Sequence, residues 1–100
     1  MKLGILINTN RHLAVVVGLA KAAISRGHEV IIFNTDDGTK LFGNPKFVEL
    51  CKTEGVSMSF CDHSAKSLNV STEGIPEEIV CGGQYNNAVM MHNADRVIVL

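Results

Sequence analysis

Leu3-Gly4-Ile5-Leu6-Ile7-Asn8-Thr9-Asn10 decides the fold. Five apolar residues run without alternation and stop on three polar turn formers. Unbroken apolar runs are typical of parallel strands covered on both faces. Asn8, Thr9 and Asn10 are good N-cap types, so a helix is expected to follow. From there to Arg26, Leu13, Val16, Val17, Ala20, Ala23 and Ile24 recur at helical spacing. Gly27 is placed to end that helix as a C-cap. Val30-Ile31-Ile32-Phe33 is a second apolar run. Strand, helix and strand in succession form a βαβ unit, right-handed by strong default.

The same alternation continues outward. Asn34 to Thr39 is a turn in which Gly38 can take positive φ. Leu41 and Phe42 suit a short helical turn. Asn44-Pro45 opens a helix with Pro45 at its first position. Phe47, Val48, Leu50 and Cys51 supply its apolar side, and Gly55 its end. Val56 to Phe60 is strand three. Ser64 to Leu68 suits a short helix, 69–76 is polar and irregular, and Glu77 to Val80 is either a helical turn or an edge strand. Gly82-Gly83 breaks the pattern, Gln84 to Asn93 reads as a helix, and Arg96 to Leu100 as the last strand. That strand is expected to be central or paired with a neighbouring copy. Four or five strands alternating with helices argue a single α/β domain over 1–100, with a mainly parallel sheet.

Composition narrows the function. The 100 residues carry a formal charge of −1 and only 19% charged side chains, so nothing points to nucleic acid or to an acidic membrane surface. Apolar residues make up 46%, which suggests that part of the apolar surface is covered by partner subunits. No apolar run approaches the roughly 20 residues needed to cross a bilayer, and Leu3–Ile7 is too short for a signal peptide. The three cysteines, Cys51, Cys61 and Cys81, have no C-x-x-C spacing. A reducing cytoplasm is therefore expected, not a disulfide framework.

In an open parallel sheet, ligands gather beyond the carboxyl ends of strands. Cys61 ends strand three there, so it is the main candidate. A helix starting at His63 or Ser64 would favour its thiolate over its thiol. His63 is placed to stabilise the thiolate as an imidazolium or to move a proton. Asp62 suits an N-cap, and Ser64 a cap or pocket-lining role. Cys81, before Gly82-Gly83, is either a resolving thiol for Cys61 or core. Cys51 falls on an apolar helix side and reads as core. Asn8, Asn10 and Asp37 end strands on the same sheet edge and are expected to line the pocket, although capping and turn formation also explain them. Gly82 and Gly83 open a helix whose N–H groups suit a small anion such as a thiosulfonate, sulfite or phosphate. There is no Gly-Lys-Ser/Thr and no dinucleotide fingerprint, so no nucleotide cofactor is expected. Cys61, His63, Cys81 and His92 are ligand types without paired spacing, so no metal is expected.

Three segments together resemble the DsrE/DsrF-like family of small sulfur-relay proteins. They are Gly27-His28-Glu29-Val30 running into Phe33 and Asp37-Gly38; Phe60-Cys61 with Ser64 and then Gly74-Ile75; and Val80-Cys81-Gly82-Gly83, a helix, and Ala94-Asp95-Arg96-Val97. The resemblance implies a three-layer α/β/α fold and a homo-oligomer, often a trimer or hexamer. It also implies that Cys61 holds the position of a sulfur-carrying cysteine. The expected function is then a carrier, more than a turnover enzyme. It would hold sulfane sulfur on Cys61 as a persulfide, take it from a donor protein and pass it to an acceptor. The alternative is a non-catalytic oligomeric module that binds a small anion or a partner at the same strand-end pocket.

Overall fold

A computed structural model describes all 100 residues. Five strands form one sheet in the order β4-β3-β2-β1-β5, with every neighbouring pair parallel. They are β1 (Lys2–Ile7), β2 (Glu29–Asn34), β3 (Val56–Cys61), β4 (Ile79–Gly82) and β5 (Arg96–Val99). The helices are α1 (Leu13–Ser25), α2 (Pro45–Val48), α3 (Asp62–Ser67) and α4 (Gln84–Asn93), with 3-10 turns at Asp36–Gly43 and Glu49–Lys52.

Connection handedness sorts the helices. The chain steps from β1 to β4 in one direction, so right-handed crossovers place α1, α2 and α3 on one face. It then returns across the whole sheet to β5, which puts α4 alone on the other. The cores follow this division. Ile5, Ile7, Val30, Ile32, Met58 and Phe60 pack with Val16 and Ala20 of α1, Phe47 of α2 and Ala65 of α3 in a cluster of 16 buried residues. On the opposite face only Phe33, Cys61 and Met90 are fully buried together, flanked by Leu6, Ile31 and Val97. Gly4 lets α4 settle there, because a Cβ would press on Ala94, Met90 and Val97 at 3.1–3.2 Å.

The local signals mostly hold. Gly27 follows α1 at φ 82°, and the Asn44 side chain accepts the Lys46 N–H at 2.9 Å to start α2 behind Pro45. Asn69, at φ 56°, ends α3 in the left-handed region, with Val70 N–H donating to the Ala65 carbonyl at 2.8 Å.

Several details differ. His12, not an Asn or Thr of the 8–10 turn, stands at the N-cap of α1. In the turn after β2 the left-handed residue is Asp36, at φ 48°, not Gly38. Gly38 is needed for space instead, because a Cβ there would collide with the Ile7 carbonyl. α3 begins directly at Asp62, with Cys61 as its N-cap, so Asp62 caps nothing and pairs with Lys66 at 2.8 Å. The segment before Gly82-Gly83 is the edge strand β4. The last strand, β5, lies at the other edge beside β1 and is not central.

Candidate functional site

The carboxyl ends of β1, β2, β3 and β4 surround a cavity of about 570 Å³ that is open to solvent. Leu6 and Asn8 come from β1 and its end, Thr35 and Asp36 from the end of β2. Cys61, His63 and Ser64 come from the β3–α3 junction, and Gly82, Gly83, Gln84 and Asn87 from the β4–α4 junction. The strand-end rule therefore leads to this cavity. Asn10 and Asp37 lie outside it. Asn10 is exposed in the bend beyond β1, and Asp37 is held by Lys40 at 3.0 Å. Thr35, Asp36, Gln84 and Asn87 take their place. Their signal is position, since Thr35 immediately follows β2, Gln84 opens α4, and Asn87 is one turn further on.

Cys61 is 5% exposed and packs against Phe33 and Met90. Burial pushes its thiol up, since a thiolate is the charged form. Hydrogen-bond donors outweigh that: the Ser64 hydroxyl and N–H, the Gln84 side chain and the His63 N–H together hold Cys61 below the ordinary thiol value. The Cys61 side chain itself makes no capping hydrogen bond. His63 and Ser64 are the second and third residues of α3, whose N–H groups have no intrahelical partner.

A chain of polar side chains backs Ser64. Its Oγ lies 3.2 Å from Thr35 Oγ1. Gln84 Nε2 donates to Thr35 Oγ1 at 3.3 Å, and Asn87 Nδ2 donates to Gln84 Oε1 at 3.2 Å. Gly82 is required where it stands, because a Cβ would collide with the Asn86 side chain. Asn86 Oδ1 in turn accepts the Gly83 N–H at 3.0 Å. That bond occupies one of the N–H groups expected to hold an anion.

Cys81 is differently placed. Phe60 pairs with Cys81 and Cys61 with Gly82 across the β3–β4 ladder. Side chains alternate along a strand, so Cys61 and Cys81 point to opposite faces. A disulfide needs Cβ vectors that converge, and these diverge. Both thiols are free, and Cys81 is exposed. Desolvation, the Asp62 carboxylate beside it as a hydrogen-bond partner, and that carboxylate's charge raise its pKa. Cys51 packs against the main core, and burial followed by the nearby Glu78 charge raises its pKa as well. No group of three or more His, Cys, Asp or Glu side chains is gathered to hold a metal. No helix is long and apolar enough to cross a membrane.

The whole architecture recurs in solved proteins. The crystal structure of the ychN protein from E. coli superposes with a TM-score of 0.72 at 12% identity, covering 99% of this chain and 97% of that one. MTH1491 from Methanobacterium thermoautotrophicum, described as a protein of unknown function, superposes with a TM-score of 0.79 at 9% identity, covering 99% and 98%. At such identities the likeness is one of fold. A search of curated protein sequences gives no match. The DsrE/DsrF-like family model, by contrast, matches residues 1–100 without a gap at either end, and the chain belongs to that family.

Proposed function

We propose that this protein is a sulfur carrier that holds sulfane sulfur on Cys61 as a persulfide and hands it to a partner. The observation that carries the reading is the setting of Cys61: a thiol at the wall of an open strand-end cavity, with four donors that favour its thiolate. Membership in a family of sulfur-relay proteins supports it. The Cys61 thiolate attacks the outer sulfur of a donor persulfide. A new S–S bond forms on Cys61, the donor's S–S bond breaks, and the donor thiolate leaves with the electron pair. An acceptor thiolate then attacks the outer sulfur on Cys61 and returns Cys61 to the thiolate. Both steps are exchanges, so no external oxidant or reductant is needed.

A module that only holds a small anion fits the cavity less well. No Lys or Arg lines it, Asp36 contributes a carboxylate, and the Gly83 N–H is already bonded. His63 is the one lining side chain able to supply positive charge.

Intact mass spectrometry after incubation with polysulfide tests the carrier reading. Wild type is expected to gain one reductant-labile sulfur atom, and Cys61→Ser none. Equal loading of Cys61→Ser, or loading confined to Cys81, would remove Cys61 from the role.

A further inference from the structure

The first two links of the hydrogen-bond chain behind Ser64 point towards Thr35. Asn87 gives an amide hydrogen to Gln84 Oε1, and Gln84 gives one to Thr35 Oγ1. Thr35 Oγ1 thus accepts from α4 and keeps its own hydrogen, and Ser64 Oγ lies 3.2 Å away, with either hydroxyl able to donate to the other. When Thr35 donates, Ser64 Oγ accepts and has its own hydrogen free for the sulfur. The Thr35 backbone is fixed on both sides: its N–H donates to the Ile7 carbonyl and its carbonyl accepts from the Gly38 N–H, both at 2.9 Å. The hydroxyl is thus anchored to β1 and to the turn after β2.

We propose that Thr35 is a positioning residue for this site, the link through which a one-way relay Asn87–Gln84–Thr35–Ser64 directs hydrogen-bond donation at the Cys61 sulfur. Each bond polarises the next, so a relay with all donors aligned strengthens donation from Ser64 to a Cys61 thiolate beyond what Ser64 alone supplies. Thr35 acts through Ser64 and need not touch substrate. The relay also has work left after loading, because any charge on the outer sulfur of a persulfide must be balanced where the cavity offers no Lys or Arg. This inference rests on Cys61 being the working thiol of the cavity.

Other groups that titrate near Cys61 are accounted for. His63 and Asp36 line the cavity. Asp37 is paired with Lys40, and Asp62 with Lys66 beside Cys81. Tyr85 of α4 opens on a separate groove next to Val80 and Val89. His92 lies in the last turn of α4, at the opposite end from Gln84. Thr35→Val and Thr35→Ser add or remove no charged group, so a difference between these variants reads the hydroxyl.

The test is the pH profile of Cys61 alkylation by iodoacetamide, quantified on the Cys61 peptide by mass spectrometry for wild type, Thr35→Val and Thr35→Ser. Thr35→Val keeps the shape and deletes the hydroxyl. Its midpoint is expected to rise by about one pH unit, with a roughly three- to tenfold slower reaction at neutral pH, since a less acidic thiolate is also a better nucleophile. Thr35→Ser is expected to keep the wild-type midpoint. An unchanged midpoint in a natively folded Thr35→Val overturns the proposal, as does a shift in Thr35→Ser as large as that in Thr35→Val. If Thr35→Val does not fold, Asn87→Leu reads the far end of the relay: a smaller rise supports it, and no rise overturns it. Polysulfide loading of wild type separates the two claims. A relay that shifts the midpoint in a protein that never loads sulfur leaves the inference standing and removes the carrier reading. Normal loading with a flat midpoint does the reverse.

Discussion

Cys61 and Cys81 stand on neighbouring strands at the same end of one sheet, one residue out of register, and they are made into different thiols. Cys61 is buried and lowered by surrounding donors. Cys81 is exposed and raised by desolvation and a carboxylate. Accessibility alone would name Cys81 as the reactive one. The difference teaches that polar surroundings decide which sulfur ionises, while exposure decides only which one is easily met. The alternation of the strand does the sorting: one thiol joins the α4 side with Gln84, and the other joins the α3 side with Asp62.

The two sides also differ in what holds them, and this gives the largest expected effect. Phe60, on the Cys81 side, packs tilted against Phe42 with ring centroids 5.2 Å apart inside the main core. Phe60→Ala is expected to cost about 3–5 kcal/mol, and Met90→Ala on the thinner Cys61 side about 2–3 kcal/mol, measured by urea unfolding. Equal losses would break the contrast between the faces. Next in size is Ser64→Ala, which removes a donor for the Cys61 thiolate; a hydrogen bond to a charged group is worth about 1.5–3 kcal/mol. The Cys61 alkylation midpoint should then rise by about one to two pH units, with Cys81 unmoved. The sign follows from the shift: a lowered thiol is reactive above its pKa and loses reactivity as pH falls through it, so losing a donor moves that loss to higher pH. A parallel shift at Cys81 would show that Ser64 acts on the fold and not on one sulfur. The smallest effect is expected from Asp62→Asn, which should lower the Cys81 midpoint by up to about one unit and leave Cys61 in place. If Cys61 moves as much as Cys81, the two environments are not separate.

Much of this was legible in the sequence. The unbroken runs at Leu3–Ile7, Val30–Phe33 and Val56–Phe60 give three parallel strands, and the helical spacing after Asn10 gives α1. Gln84 to Asn93 reads as the helix it is. The placement of β5 was not legible. Its apolar run looks central, but a return crossover to the free edge of β1 is a choice of topology that composition does not encode. At the site, Cys61, His63 and Ser64 followed from strand-end logic. Asn10 and Asp37 overshot the cavity because the polar turns run on past the point where each strand stops. Thr35 and Gln84 carry no sequence signal for the opposite reason: single uncharged polar residues with no motif gain meaning only when β2, α3 and α4 bring them within hydrogen-bond reach. The relation of Cys61 to Cys81 turns on one residue of register, which no spacing rule fixes.

The relay joins residues that are far apart along the chain. Thr35 and Ser64 are separated by 29 positions, and Thr35 and Gln84 by 49. During synthesis Cys61 is joined to the chain before Gln84 is. Pairings of such long range form late, after the costly closure of large loops. Until then Cys61 is an ordinary thiol, mostly protonated at neutral pH. The acidity of this one cysteine thereby becomes a reporter of completed folding.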